Sequence, residues 1–346
     1  MNLYNKINEG KTYIIAEMSA NHAGSIDRAK EIIYAAKDAG ADCIKIQTYT
    51  PDTLTIDCDN EYFHIDNGTW EGENLYQLYG KAYTPWEWQA ELKKVAEDIG
   101  LDFLSTPFDK TSVDFLEELG VEFYKIASFE LVDIPLIKYI ASKGKPIIMS
   151  TGMGTIEDIS DAVNAIKEQG NDKICLLRCA SAYPAISDSM NLNTMVDMKD
   201  KFTVPVGLSD HSMGTIGAVT AVAMGASVIE KHFCISREIE NPDSSFSMEP
   251  HEFKQMVEEI RTVEKAKGII NYGPTKEEEG STVFRRSIFV VRDIKKGEKF
   301  TEDNIRIIRP GYGIKPKFFD AVLGQVALCD IKYGTPLRFD MIENIK

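Results

Sequence analysis

The chain is short of long apolar runs, of positive charge and of histidine, and each shortage narrows what it can be. No stretch approaches the ~18 consecutive apolar residues that cross a bilayer. The opening MNLYNKINEGKTYIIAEM has no apolar run long enough for a signal peptide, so no membrane partner is expected and the cytoplasm is the expected location. A formal net charge of −15 argues against nucleic acid or an anionic membrane surface, since both need a basic face. It leaves room for a small anion held by a local cluster of Lys and Arg. There is no C-x-x-C pair. The six cysteines, Cys43, Cys58, Cys175, Cys179, Cys234 and Cys329, are scattered, mostly through apolar strand-like runs, and reduced thiols are expected. Cys175 and Cys179 lie four apart on one predicted strand and share a face of it.

What is present is a regular alternation of short apolar runs with amphipathic stretches. The strand candidates are Tyr13–Met18, Cys43–Thr48, Asp102–Pro107, Phe123–Ala127, Pro146–Thr151, Ile174–Cys179, Val204–Leu208 and Val228–Phe233. Helix-like segments such as Ser25–Ala39, Lys110–Leu119, Thr155–Gln169 and Pro250–Lys267 follow them, and many of the turns carry Gly, which caps a helix end. Eight strands alternating with eight helices is the arithmetic of a (β/α)8 TIM barrel, an α/β fold; a doubly wound open sheet is the competing reading. The one long interruption, Tyr49–Tyr83, is rich in Asp, Asn, Gly and aromatics, which predicts an ordered flap over the rim. The predicted organisation is a barrel over residues 1–267, a Gly-, Pro- and Glu-rich linker over 268–283, and a small β-rich domain over 284–346 built on SIFVV, NIRIIRP and VALCDI. A domain that small is marginal alone, so docking onto a barrel, in its own subunit or a neighbour, is expected.

In such a barrel the active site lies at the C-terminal ends of the strands. Those ends read Glu17 with Asn21-His22, Lys45 with Gln47, Ser105-Thr106, Lys125 with Ser128 and Glu130, Ser150-Thr151, Ser181 with Tyr183, Ser209-Asp210-His211, and Glu230-Lys231-His232. Two of only five histidines thus end consecutive strands, and neutral imidazole is the commonest ligand of a divalent transition metal. Two unrelated polar loop residues are the plainer reading of that pair. Lys45 and Lys125, with hydroxyls at Thr106, Ser128, Ser150 and Ser209, suit a small phosphorylated or carboxylated anion; taken singly, each lysine could instead be a barrel lysine paired with a carboxylate, and each hydroxyl a loop cap. Glu130 is placed to position water or act as a general acid/base, or else to face a helix N-terminus. His22 reads as a substrate contact or a supporting group rather than a metal ligand.

At this point the residues carry a resemblance. AEMSANHAG, KIQTYTPDTLT, TPWEW, STPFD, KIASFE, PIIMSTGM, VGLSDHS, VIEKHF and PDSSFSMEP resemble the sialic acid synthase family, nearest its pseudaminic acid branch, and the likeness covers nearly the whole chain. RRSIFVVRDIKKGE and RPGYGI resemble the antifreeze-like (SAF) domain that follows the barrel in that family. The resemblance implies an aldol-type condensation of phosphoenolpyruvate with an amino-sugar aldehyde, releasing phosphate. It implies a divalent metal, Mn2+ or Mg2+, held by His211 and His232, and acid/base or water-positioning work by Glu130. Lys45, Thr106, Lys125, Ser128, Ser150 and Ser209 match phosphoenolpyruvate contacts. Glu17, Gln47, Tyr183 and Asp243 match positions lining the sugar, where Asn21 and His22 are also expected. A domain-swapped homodimer is implied, in which Arg309 of RPGYGI reaches the partner's barrel. The loop Met18-Ser19-Ala20 departs from the Gly-Val pair more usual in the sialate branch, which favours a 6-deoxy diacetamido sugar, 2,4-diacetamido-2,4,6-trideoxy-L-altropyranose. The alternatives are N-acetylneuraminate or legionaminate synthesis by the same chemistry, a Schiff-base aldolase using Lys45 or Lys125, and a carbohydrate-binding protein that has lost activity.

Overall fold

The structure is a computed structural model that describes residue 7 and residues 10–343. Eight parallel strands close into a barrel in sequence order: β1 Tyr13–Glu17, β2 Cys43–Thr48, β3 Asp102–Pro107, β4 Tyr124–Ile126, β5 Ile147–Ser150, β6 Ile174–Cys179, β7 Val206–Asp210 and β8 Val228–His232. Closure is made by β1 pairing with β8, Glu17 opposite His232. The open-sheet alternative is thereby excluded. The strands are apolar on both faces because both are covered, by the helices outside and by the barrel's own filling inside.

The two faces divide the residues by alternation. Ile44, Ile46, Tyr124, Ile126, Leu176 and Leu208 look outward into one large core against the helices. Tyr13, Ile15, Cys43, Leu104, Phe123, Ile148, Cys175, Leu177 and Val228 fill the floor of the barrel. Along each strand the inward residue two positions beyond the floor layer is therefore the one that reaches the rim. Cys43 leads to Lys45 and Gln47, and Cys175 leads to Leu177 and Cys179.

The helices begin and end where their sequences dictate. Ser25 caps Ile26–Asp38 by accepting from Arg28 N–H, and Asp109 caps Lys110–Leu119 with a reciprocal box through Ser112. Gly120 ends the latter at φ 74°, a left-handed conformation that favours glycine. The strand β7 runs two residues further than VPVGL suggests, to Asp210, because β8 continues beside it through the pair Asp210–Lys231.

The segment between β2 and its barrel helix is ordered. It contains the helical turns Pro51–Leu54 and Leu75–Ala82 and a 3-10 turn at Glu61–Phe63.

The second compact unit comprises Ile269–Lys346, the first Met1–Gly268. In the second, β9 Ser287–Val290 pairs antiparallel with β10 Ile305–Ile308. The third expected strand, VALCDI, is reduced to isolated bridges, Lys299 with Val326, Ala327 with Ile342 and Ile294 with Ile331. Ala327 and Ile331 of this segment join the core formed by Ile288, Val290, Phe300, Ile305 and Leu337. Among the described residues no helix is long and apolar enough to cross a membrane.

Candidate active site

The C-terminal rim of the barrel gathers a set of charged side chains with almost no exposure. Lys45 Nζ lies 3.0 Å from Glu17 Oε2 and 3.2 Å from Glu230 Oε1. Lys125 Nζ lies 3.7 Å from Glu230 Oε2, so one carboxylate bridges the two lysines. Each ammonium also meets a hydroxyl of the next strand, Lys45 with Thr106 Oγ1 at 3.4 Å and Lys125 with Ser150 Oγ at 2.7 Å. Ser209 Oγ donates to Glu230 Oε1 at 3.3 Å.

Burial and neighbours set the protonation of this group. Burial works to lower Lys45, but Glu17 and Glu230 overcome it and hold its ammonium above the ordinary lysine range. Burial keeps Lys125 below that range against the pull of Glu230. Burial pushes Glu17 up to about 7 despite Lys45, with Glu230 adding repulsion. For Glu230 burial is outweighed by Lys125 and Lys45, which hold its carboxyl low.

Beside this cluster stand the two histidines, with ring centroids 5.4 Å apart. His232 ends β8 and His211 follows β7 directly. His211 Nδ1 lies 3.1 Å from the Ala180 carbonyl and 3.7 Å from Cys179 Sγ. A proton on Nδ1, donated to that carbonyl, leaves Nε2 with its lone pair. His232 Nδ1 is sealed from solvent and has no hydrogen-bond partner. Burial, with the positive charge of Lys45 and Lys231 nearby, keeps His232 well below the ordinary histidine range, hence neutral. A buried, neutral, unpartnered imidazole nitrogen beside a second imidazole fits a divalent cation. Among the described residues no third His, Cys, Asp or Glu completes a cluster of metal-ligand geometry, so the remaining positions would fall to water or substrate.

An aromatic wall closes round the histidines. The Tyr183 ring lies 4.2 Å from that of His211, and Phe246 lies 5.1 Å from His232. Trp70 of the flap packs on Tyr183 at 5.4 Å and donates its indole N–H to Pro242 O at 2.8 Å. Thr69 donates its hydroxyl to the Tyr183 carbonyl. The flap thus joins the loops after β6 and β8.

Opposite, the turn after β4 carries Ser128 and Glu130. Ser128 Oγ accepts from Gly152 N–H at 3.1 Å. A side chain on Gly152 would collide with Ser128 and Ser181, so glycine leaves that corner open. Glu130 Oε2 is sealed from solvent without a partner, and burial pushes its carboxyl up to about 7 against the attraction of Lys125.

On the β1 side, Gln47 Nε2 donates to Glu17 Oε1 at 3.0 Å and to Ser19 Oγ at 3.1 Å. Asp243 Oδ2 accepts from Ala20 N–H at 3.1 Å. Asn21 Nδ2 donates to Met18 O and Ser247 Oγ, leaving Oδ1 buried and unpartnered.

His22 does not join the site. It is fully buried; Nδ1 accepts from Gly24 N–H, Nε2 lies 3.3 Å from Thr84 Oγ1, and the ring packs edge-on against Trp88. With both nitrogens engaged it pins the end of the flap to the first rim loop and offers nothing to a sugar. Every second residue at the strand ends likewise faces outward. Ser105 bonds Thr48, Thr151 bonds Leu177 O, and Asp210 pairs with Lys231. Arg309 belongs to the second unit, where it is exposed.

Three participants carry no role in the sequence reading. Glu230 was legible from alternation alone, since VIEKH puts it on the face of His232. Cys179 lies on the inner face shared with Cys175, and His211 lowers its thiol to about 6 although burial opposes this. Phe246 had no signal beyond its place in PDSSFSMEP.

A family model described as the NeuB family matches residues 32–272, and the SAF domain model matches residues 285–343. The chain is 46% identical over 338 residues to a pseudaminic acid synthase of Campylobacter jejuni, covering 98% of both chains. It is 44% identical over 334 residues to a pseudaminic acid synthase of Helicobacter pylori, covering 95% of this chain and 97% of that one. An N,N'-diacetyllegionaminic acid synthase of Legionella pneumophila is 37% identical over 336 residues, with 96% and 94% covered. Among solved structures, an N-acetylneuraminic acid synthetase of Leptospira borgpetersenii in complex with citrate is 31% identical with a TM-score of 0.70, covering 78% of this chain and 90% of that one.

Proposed function

The chain belongs to the NeuB family, and from that premise we propose that it is a transferase condensing phosphoenolpyruvate with 2,4-diacetamido-2,4,6-trideoxy-L-altropyranose to give pseudaminic acid and phosphate. The observation that carries the reading is the Lys45–Glu230–Lys125 bridge lying beside the paired imidazoles of His211 and His232. It sets an anion subsite against a metal subsite within one rim. The identity to two pseudaminic acid synthases, above that to the legionaminic acid synthase, supports the choice of sugar. Legionaminate or N-acetylneuraminate synthesis is the second reading.

In the reaction, C3 of phosphoenolpyruvate forms a bond to the aldehyde carbon of the open-chain sugar, whose oxygen takes up a proton. Water adds at C2, and the C2–O bond to phosphorus breaks, leaving a keto acid and inorganic phosphate. Lys45 and Lys125, with Thr106, Ser128, Ser150 and Ser209, hold the carboxylate and phosphate throughout, so their contribution is mainly to binding. Glu130 positions the water and takes its first proton, which goes to the former aldehyde oxygen; the proton of the resulting C2 hydroxyl leaves with the departing phosphate as the ketone forms. Glu17, Asn21, Gln47, Tyr183 and Asp243 line the sugar. A divalent cation held by His211 and His232, Mn2+ or Mg2+, supplies Lewis-acid polarisation of a carbonyl oxygen when bound.

The working unit is a homodimer in which the second unit of one copy covers the barrel rim of the other, bringing Arg309 to its sugar. Two observations support this. Large apolar side chains stand exposed around the mouth, including Phe129, Val132, Met153, Ile186, Met213 and Ile216. Residues 269–346 carry 14 Lys and Arg against 11 Asp and Glu, in a chain of net charge −15, so the small unit is the complement of an acidic barrel. The reaction needs only water-borne substrates, and its place is the cytoplasm.

Phosphate release from phosphoenolpyruvate, measured against a panel of amino-sugar aldehydes with and without chelator, tests the proposal. Chelator-sensitive release greatest with the diacetamido trideoxy sugar is expected. Release with no sugar dependence would overturn it, and a preference for another acetamido sugar would establish the second reading.

A further inference from the structure

Ser19 has a backbone conformation that its residue type does not favour. It stands at φ 45°, in the left-handed region normally left to glycine, and is only 6% exposed. Such outliers persist where the surroundings hold them for a purpose. Here the surroundings are polar. Ser19 Oγ accepts one N–H of Gln47 at 3.1 Å, while Glu17 Oε1 accepts the other at 3.0 Å. The next residue, Ala20, donates its N–H to the Asp243 carboxylate at 3.1 Å.

A primary amide has two N–H hydrogens and one carbonyl oxygen. With both hydrogens spent on Glu17 and Ser19, Gln47 cannot flip without losing two bonds. Its Oε1, which has no protein partner among the described residues, is then the only handle it offers inward from β2. An acceptor fixed in this way selects a donor.

We infer that Ser19 is a specificity-determining positioning residue: it locks the Gln47 amide so that the site reads an acetamido N–H on the sugar. This rests on the functional reading above and adds the part of the site that distinguishes one acetamido sugar from another. Remove the hydroxyl and the amide is held by Glu17 alone, so one bond rather than two opposes its flip, and discrimination by this group falls while the anion subsite is untouched.

The test compares Ser19→Gly and Ser19→Ala with the wild type, at saturating metal. It uses the diacetamido trideoxy sugar and the mono-acetamido sugar N-acetylmannosamine. Both variants should lower the ratio of the two kcat/KM values by about tenfold, the scale of one buried hydrogen bond to a fixed partner. KM for phosphoenolpyruvate should stay within about twofold, since Ser19 touches neither lysine. Glycine suits the local φ, so Ser19→Gly keeps the fold. A wild-type ratio in either variant overturns the inference. So does an effect confined to Ser19→Ala, which would make backbone strain the cause, and so does a parallel rise in KM for phosphoenolpyruvate. A wild type that prefers a different acetamido sugar overturns the choice of substrate instead, and the ratio is then read on the preferred sugar.

Discussion

Lys231 Nζ lies 2.8 Å from Asp210 Oδ2, with both side chains sealed from solvent on the outer face of the barrel wall. Each is the immediate neighbour of a rim histidine, Asp210 before His211 and Lys231 before His232. The two are also register partners across β7 and β8. Ser212 completes the arrangement, donating its N–H and hydroxyl to Asp210 Oδ1 while its carbonyl accepts from Lys231. The pair therefore fixes how far apart the two imidazoles stand. Lys231→Met leaves Asp210 buried and uncompensated and should destabilise the protein by about 3–5 kcal/mol. The double variant Asp210→Leu with Lys231→Met should recover most of that in urea unfolding, while titration calorimetry with Mn2+ shows weaker binding than wild type.

His211→Ala and His232→Ala should each abolish chelator-sensitive phosphate release while circular dichroism retains the barrel signature. Neither ring contributes to the main apolar core, so loss of the ring does not undo the fold. Undiminished turnover in either variant would remove the metal from the mechanism.

Glu130 yields a pH dependence with a definite sign. Its carboxyl is pushed up to about 7 by burial, with Lys125 pulling the other way and Asp133 adding a little. Acting as a base, it works only when ionised, so kcat should rise with pH through about 7 and plateau above. For stability the sign is opposite. A carboxyl whose folded pKa is raised stabilises the fold at low pH and loses that contribution as pH rises from the unfolded value to about 7. Glu130→Gln should therefore lose the activity limb at every pH, yet melt higher than wild type at pH 8, by on the order of 2 °C. A variant that melts lower at pH 8 would show the carboxylate to be a structural group.

Deleting residues 281–346 should abolish synthesis and leave the barrel folded, because each unit has its own core. Full activity in the truncated chain would show that Arg309 has no part in the reaction. Restoration by adding the separate small unit would locate the missing contribution in docking.

Much of this site could be read from the chain because a barrel converts sequence order into position. Once eight strand–helix alternations are recognised, the last inward residue of each strand must face one rim. Lys45, Lys125, Ser150 and His232 follow without coordinates. Polarity by itself does not give direction. Ser105, Thr151, Asp210 and Lys231 are as polar as their neighbours and face the other way, since a strand turns its side chains by half a revolution per residue. His22 answers to the supporting-group half of its reading, and its direction is not legible in the sequence for a related reason. It lies on a 3-10 turn, Ser19–His22, where neither the strand period nor the helix period gives a direction. The contacts of Trp70 and Phe246 with the histidine wall join segments far apart in sequence, and only the folded chain brings them together.

The carboxylate of Glu230 between Lys45 and Lys125 has one more consequence. The site without substrate is not a bare positive hole but one already filled by an anion of its own, tethered to β8. An incoming anion must out-compete a resident that never diffuses away. Monovalent ions such as chloride gain little by that exchange, whereas a ligand with a carboxylate and a phosphate can engage both ammonium groups at once. On the proposed function, the barrel would screen its solutes by valence before any sugar is read.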